Sequence, residues 1–217
     1  MTTKDLGLAF IGDSYVNGSG DSGCLGWIGR LCKKRFNPPP RLWFYDLGIP
    51  GELTDSLRLR WEAEVARRYP PPPNMHVVLM CGLNDTAEVI GSGVLLPLAQ
   101  TISNAEAIVR RAKEKYPILW IGMPPVNQQM SPMRVNEEIT MVFDQQRAIA
   151  VNEAMGLSAA QMGVPFLDIL TPLLQSRDYM ESQTEGDGMH PSARGYEIIS
   201  ERVDDWPAWQ SWFSKDA

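Results

Sequence analysis

The sequence contains 217 residues, 44% of them hydrophobic and 21% charged, and its formal net charge at pH 7 is −6. This length and composition are typical of one globular domain, which we expect to span residues 1–217. The acidic balance argues against nucleic acid or an anionic membrane surface as the main partner. No apolar run approaches the roughly 20 residues that a membrane span needs.

Cysteine usage and the start of the chain both favour a cytoplasmic location. Cys24, Cys32 and Cys81 are odd in number and widely spaced, which is typical of reduced thiols. The first predicted strand begins at Leu6, which leaves no room for a signal peptide before it. We therefore expect a cytoplasmic protein.

Short apolar runs alternate with stretches of helical periodicity along the chain. The predicted strands are residues 6–11, 42–45, 75–80, 118–121 and 164–168. The predicted helices are residues 27–36, 54–69, 97–115, 134–162 and 171–181, with a last helix that begins near Pro191. The predicted loops are residues 87–96, 126–133 and 182–189, and Pro38-Pro39-Pro40 is expected to end the first helix. This alternation predicts a single-domain three-layer α/β/α sandwich with five parallel strands.

The triplet Gly12-Asp13-Ser14 follows the first predicted strand. In open α/β sheets, ligands bind beyond the carboxyl ends of the strands, so Ser14 lies where chemistry is expected. Taken alone, the triplet favours the interpretation that Asp13 or Ser14 only caps a turn.

The sequence has two histidines, which narrows the choice of a general base. His76 lies in an apolar strand pattern and is interpreted as a sheet residue. His190 lies in a polar loop three residues after Asp187. This spacing lets the carboxylate accept a hydrogen bond from one imidazole nitrogen while the other nitrogen faces a nucleophile. A helix cap is an equally good interpretation of the loop taken alone.

Four motifs in this order and spacing resemble the four blocks of the SGNH, or GDSL-type, hydrolase superfamily. They are Gly12-Asp13-Ser14, Gly51, Gly82-x-Asn84-Asp85 and Asp187-x-x-His190-Pro191. The resemblance implies a flavodoxin-like SGNH hydrolase fold and a serine esterase that cleaves small or medium acyl esters through an acyl-enzyme. It implies no metal and no cofactor. Oxygen esters, thioesters and acetylated sugars all stay open as substrates, and so does acyl transfer to another alcohol.

The resemblance also assigns a catalytic triad. Ser14 would attack the acyl carbonyl, His190 would take its proton, and Asp187 would orient His190. The expected partner is a small-molecule ester.

The remaining motif residues would complete the site. The oxyanion hole would consist of the backbone N–H groups of Ser14 and Gly51 and the side-chain amide of Asn84. Asp13 and Asp85 are expected to hold their loops through side-chain to backbone hydrogen bonds.

Three positions depart from the family pattern. Tyr15 stands where the namesake motif has leucine, and Asp46 and Glu52 flank the second block where asparagine and aspartate are frequent. None of the three is a reacting residue in that family, so they bear on substrate fit more than on the chemistry.

Two alternatives to an esterase also fit parts of the sequence. Gly18, Gly20 and Gly23 form a literal G-x-G-x-x-G, which is a dinucleotide-binding pattern, and Asp46 lies near the position that would bind the ribose. However, residues 12–17 separate this pattern from the first strand, whereas the fingerprint needs its glycines directly after the strand. The other alternative is a non-catalytic binding domain that retains the motifs.

Residues 16–26 and 126–133 are expected to border the site. Met123, Met130 and Met133 fit either an acyl pocket or an ordinary core. The aromatic C-terminal tail, residues 206–217, is expected to pack over the core, and a homodimer contact through it stays open.

Overall fold

The computed structural model describes residues 5–35 and 41–213. Within these ranges the strands are β1 (Leu6–Gly12), β2 (Leu42–Gly48), β3 (Met75–Met80), β4 (Ala87–Val89), β5 (Gly93–Val94), β6 (Ile118–Ile121), β7 (Met133–Arg134), β8 (Thr140–Phe143) and β9 (Phe166–Leu167). The α-helices there are α1 (Ser14–Asn17), α2 (Gly26–Arg35), α3 (Thr54–Val65), α4 (Leu98–Lys113), α5 (Gln145–Met162), α6 (Leu170–Leu174), α7 (Arg177–Thr184), α8 (Ala193–Asp204) and α9 (Pro207–Ser211). The expected helix end at Pro38-Pro39-Pro40 and the tail residues 214–217 lie outside the described residues.

The main sheet has five parallel strands in the order β2-β1-β3-β6-β9. Every residue of β1 is buried, because a central parallel strand is covered on both faces and therefore needs a continuous apolar run. In the register of the sheet, Gly12 at the end of β1 pairs with Gly48 of β2 and Met80 of β3. The predicted five-stranded parallel sheet is confirmed.

Helices cover both faces of this sheet. Helix α2 packs with α8 on one face, and α3, α4 and α5 pack in succession on the other. On the α2 face, Phe10 of β1 meets the ring of Trp27 at 5.4 Å and the ring of Trp209 at 6.2 Å. Trp209 is fully buried, so the described part of the aromatic tail packs over the core as expected.

The strand order reverses around β1, since the chain moves from β1 to β2 on one side and then across to β3 on the other. Such a reversal opens a crevice at the carboxyl ends of the strands, where ligands bind in open α/β sheets. The segments that follow β1, β2 and β3 therefore meet at one edge.

The prediction of one helix over residues 134–162 was wrong in its first part. Residues 133–143 form a hairpin, and together with residues 87–94, which were predicted as loop, they build a four-stranded antiparallel sheet in the order β5-β4-β8-β7. The Asn136 side chain accepts hydrogen bonds from the N–H groups of Glu138 and Ile139 and closes the turn. Helix α5 begins only at Gln145, where Asp144 caps it.

Smaller differences concern the ends of elements. Helix α3 ends at Val65 rather than near residue 69, and β2 continues to Gly48. The predicted helix over residues 171–181 is divided into α6 and α7, because Ser176 caps a new helix by accepting the Tyr179 N–H. No helix among the described residues is long and apolar enough to cross a membrane.

Candidate active site

Ser14 begins the one-turn helix α1 directly after β1. Asp13 is the N-cap, and its Oδ1 accepts a hydrogen bond from the Tyr15 N–H at 3.0 Å. A side-chain cap of this kind turns the chain sharply from strand into helix. Ser14 is buried at this edge of the sheet, and its Oγ lies 2.8 Å from Nε2 of His190.

His190 lies between Ser14 and Asp187. Its Nδ1 is 2.7 Å from Oδ2 of Asp187, and its Nε2 faces Ser14. The other oxygen of Asp187 accepts the backbone N–H groups of Met189 at 2.9 Å and His190 at 2.7 Å. The loop thus folds around the carboxylate, and the structure brings the three predicted triad side chains into one hydrogen-bonded line.

The surroundings of Asp187 keep its side chain ionised. Burial acts to raise the pKa of Asp187, but hydrogen bonds from the side chain and backbone of His190 outweigh it and lower the pKa from 3.8 to about 2. The hydrogen bonds to the carboxylate therefore stabilise the loop above pH 4, and this contribution is lost only as the pH falls towards 2.

Gly51 and Asn84 follow the neighbouring strands β2 and β3. Gly51 has φ +76°, a left-handed conformation that favours glycine, and a Cβ there would meet open space. No acceptor among the described residues takes its backbone N–H. Asn84 donates from Nδ2 to the carbonyl oxygen of Glu52 at 3.1 Å. Since the amide nitrogen carries two hydrogens, one remains for a ligand.

Asp13 and Asp85 make the expected side-chain to backbone hydrogen bonds. Asp13 accepts the Tyr15 N–H, and Asp85 accepts the Thr54 N–H at 2.9 Å together with the Thr54 hydroxyl. Burial raises the pKa of both carboxyl groups. For Asp13, burial prevails over the hydrogen bond from Tyr15, and the pKa rises from 3.8 to about 7.

We expect Asp13 to make the stability of the protein depend on pH. Because its pKa is raised in the folded state, its contribution is most favourable below about pH 4 and is lost as the pH rises to about 7. Three pKa units correspond to roughly 4 kcal/mol at most. Asp13→Asn keeps an acceptor for the Tyr15 N–H but removes the charge. In urea unfolding, the variant should gain stability relative to wild type between pH 4 and 7, and a pH-independent difference would contradict this.

The loop over residues 18–26 is held by the carboxylate of Asp21. This carboxylate accepts three backbone N–H groups, from Gly23 at 2.9 Å, Leu25 at 3.1 Å and Gly26 at 2.8 Å, and it also pairs with Arg30. A dinucleotide site needs such N–H groups for its pyrophosphate. The alternative that assigned Gly18, Gly20 and Gly23 to a dinucleotide is therefore not favoured.

The glycines of this loop have a packing role instead. Gly20 has φ +83°, and a Cβ at this position would lie 2.9 Å from Cβ of His190. Met130, from the other expected border, approaches Gly188 in the His190 loop, where an added Cβ would lie 2.8 Å from its terminal methyl group. Both predicted border segments thus adjoin the His190 loop. Met123, by contrast, is a core residue with 1% exposure.

His76 lies away from this constellation, on β3, where it pairs in register with Leu8. Its ring meets that of Trp212 at 4.5 Å, and burial lowers its pKa to about 4. The interpretation of His76 as a sheet residue agrees with this placement.

Sequence analysis missed how Glu52 and Arg60 shape the site. Nε of Arg60 donates to the Glu52 carboxylate at 2.7 Å, and its Nη2 donates to the carbonyl oxygens of Leu47 at 2.8 Å and Gly12 at 3.2 Å. This arginine ties together the ends of β1 and β2 and the turn that carries Gly51. The sequence signal for this contact was Glu52, an acid directly after Gly51, together with Arg60 in the helix that follows.

The five-stranded parallel sheet flanked by helices is the fold of the SGNH class of hydrolases. The family model for GDSL-like lipases and acylhydrolases matches residues 10–198, and the chain belongs to this GDSL-like lipase/acylhydrolase family. A search of curated proteins found no match.

Solved structures support the same fold. A lipase/acylhydrolase from Enterococcus faecalis is 20% identical, with a TM-score of 0.71, over 92% of this chain and 93% of that chain. An acetylxylan esterase from Geobacillus stearothermophilus is 19% identical, with a TM-score of 0.69, over 96% and 98% of the two chains. A G-D-S-L family lipolytic protein from Veillonella parvula is 19% identical, with a TM-score of 0.66, over 91% and 96%.

Proposed function

We propose that this protein is a serine carboxylic-ester hydrolase that acts on small or medium acyl esters through an acyl-enzyme on Ser14. The observation that carries the proposal is the hydrogen-bonded line from Ser14 Oγ through His190 to Asp187. Family membership supports an acylhydrolase activity. Gly51 and Asn84 follow the neighbouring strands β2 and β3, and we assign the Gly51 N–H and the second amide hydrogen of Asn84 as oxyanion donors.

In the first half of the reaction, Ser14 Oγ forms a bond to the acyl carbonyl carbon and its proton passes to Nε2 of His190. Asp187 accepts the Nδ1–H hydrogen bond and stabilises the imidazolium. The carbonyl oxygen gains negative charge, which the N–H groups of Ser14 and Gly51 and the Asn84 amide stabilise. The bond to the alcohol then breaks, and His190 gives its proton to the leaving oxygen.

In the second half, water takes the place of the alcohol. His190 removes a proton from water, the hydroxide oxygen attacks the acyl carbon, and Ser14 leaves with the proton from His190. The products are a carboxylic acid and the free enzyme. If an alcohol attacks in place of water, the product is a new ester, so product analysis separates hydrolysis from acyl transfer.

The test is the hydrolysis of p-nitrophenyl esters with acyl chains of two to twelve carbons, by wild type and by Ser14→Ala. Wild type should release p-nitrophenolate, and Ser14→Ala should retain only a residual rate, roughly 10⁶-fold below that of wild type. Ser56→Ala, which changes an exposed serine on α3, is the matched control and should equal wild type. Since one structural neighbour is an acetylxylan esterase, acetylated xylan is a second substrate to try. Folded wild type that is inactive on every ester would favour the non-catalytic binding domain.

The role of Asn84 gives a further prediction. Asn84→Ala removes one oxyanion donor, and such a loss typically lowers kcat by roughly 10²–10³-fold. The matched control is Asn152→Ala, because Asn152 is also buried and donates one side-chain hydrogen bond, to Asp168 at 2.9 Å. Both variants should lose comparable stability in thermal unfolding, but only Asn84→Ala should lose the rate. Equal kcat values for the two variants would contradict the assigned role.

A further inference from the structure

Tyr15, which replaces the leucine of the namesake motif, is directed into the protein rather than towards a substrate. It is 1% exposed, and its hydroxyl donates to the carbonyl oxygen of Met189 at 2.5 Å. Its ring lies 5.4 Å from the ring of His190. The residue after Ser14 therefore contacts the residue before His190.

Gln183 makes a second contact with the same carbonyl group. Its side chain is fully buried, and Nε2 lies 3.0 Å from the Met189 oxygen, 2.8 Å from the Pro125 oxygen and 3.2 Å from the Tyr15 hydroxyl. One amide group thus joins α7, the segment after β6, the His190 loop and the tyrosine beside Ser14.

These contacts act on the peptide group that joins Met189 to His190. Its carbonyl oxygen accepts from Tyr15 and Gln183, and its N–H donates to Asp187 at 2.7 Å. A peptide group is planar and rigid, so holding it from both sides fixes the Cα of His190. Gly20 then lies against the His190 Cβ, which leaves little freedom for the ring.

A buried hydroxyl must be hydrogen-bonded, or its burial lowers stability. A leucine or phenylalanine at position 15 would fill space without this requirement. The hydroxyl of Tyr15 therefore has its clearest use in the bond to Met189, which links the chain at Ser14 to the chain at His190.

We propose that Tyr15, together with Gln183, is a positioning residue that holds the Met189–His190 peptide group and so directs the imidazole towards Ser14. This inference rests on the proposed function, in which His190 is the base. Tyr15 is 1% exposed, and the route by which it acts is the hydrogen bond to the Met189 carbonyl oxygen.

The first test compares Tyr15→Phe, Gln183→Leu and the double variant in p-nitrophenyl acetate hydrolysis. A small misplacement of a catalytic group can reduce the rate by up to roughly 10²-fold, so Tyr15→Phe should lower kcat about 10-fold or more with little change in KM. Because the two side chains share one acceptor, the double variant should lose less than the product of the single losses. Tyr45→Phe is the matched control, since it also removes a hydroxyl-to-carbonyl bond, to Tyr69 at 2.8 Å.

The second test does not need turnover. The chain has two histidines, so ¹⁵N-labelled histidine gives two sets of ring signals in an NMR spectrum, and His190→Ala assigns them. The Nδ1–H signal of His190 should be sharp in wild type and in Tyr45→Phe, and broadened or shifted in Tyr15→Phe and Gln183→Leu. This result would support the positioning role even if wild type hydrolysed no ester.

Two outcomes overturn the inference. One is a Tyr15→Phe variant whose kcat and His190 signal both equal those of wild type. The other is a loss of kcat in Tyr15→Phe while the His190 signal is unchanged, because Tyr15 would then act by a route other than His190.

Discussion

Replacing His190 with alanine is expected to lower kcat by roughly 10⁵–10⁶-fold. Replacing Ser14 in addition is expected to lower kcat no further. The reason is that Ser14 and His190 act as one unit. Without a base 2.8 Å from Oγ, the serine stays protonated and is a poor nucleophile. Without the serine, the base has no proton to take. The measurement is kcat for Ser14→Ala, His190→Ala and the double variant on the best p-nitrophenyl ester.

His76→Ala is the control for this series. His76 is the one other histidine in the sequence, and it lies on β3, where its ring packs against Trp212. It should retain kcat when assayed well below its unfolding temperature. Losses that multiply in the double variant would show that Ser14 and His190 act independently, which contradicts a nucleophile and base pair.

Asp187→Asn is expected to lower kcat by roughly 10⁴-fold with the fold retained. The geometry of the loop explains why. One carboxylate oxygen accepts the N–H groups of Met189 and His190, while the other faces Nδ1 of His190. In the variant, the amide oxygen would take the two backbone N–H groups, so the NH₂ group would face Nδ1. Nδ1 must then accept, and the ring proton moves to Nε2, which can no longer take the proton of Ser14.

The control for Asp187→Asn is Asp178→Asn, because Asp178 is an exposed acid that pairs with Arg194 on the surface. It also removes one negative charge but should leave kcat unchanged. The NMR spectrum of labelled histidine tests the explanation directly, since the ring proton of His190 should move from Nδ1 to Nε2 in Asp187→Asn. An active Asp187→Asn enzyme, or an unchanged tautomer, would contradict it.

The main sheet could be predicted from the sequence because it depends on local patterns, whereas the candidate site was predicted mainly from the resemblance of its motifs to the SGNH family. The strand at β1 is an unbroken apolar run, and parallel pairing brings the ends of successive strands to one edge. Motifs that follow β1, β2 and β3 must therefore meet. The Asp187-x-x-His190 spacing is equally local, because the loop folds around a single carboxylate.

The second sheet could not be predicted in this way. Its central pairing joins residues 87–89 to residues 141–143, which are far apart in sequence, and each strand is short. Residues 134–143 contain enough apolar positions to fit a helix, and the decisive feature is the Asn136 side chain that closes the hairpin turn.

The role of Tyr15 also could not be predicted from the sequence. Its departure from the motif was visible, but its partners, Met189 and Gln183, lie 174 and 168 residues further along the chain. For the glycines at positions 18, 20 and 23, the sequence already argued against a dinucleotide site, because residues 12–17 separate them from the first predicted strand. The structure agrees, because the Asp21 carboxylate accepts the N–H groups of Gly23, Leu25 and Gly26.

The central claim is that the reaction passes through an ester of Ser14. The most direct measurement is to mix wild type with p-nitrophenyl acetate, stop the reaction with acid within the first turnover, and locate the acetyl group by peptide mass spectrometry. We expect acetyl on the peptide that contains Ser14, in Asn84→Ala as well as in wild type, and none in Ser14→Ala. Acetyl on another residue, or rapid ester hydrolysis by Ser14→Ala, would contradict the account.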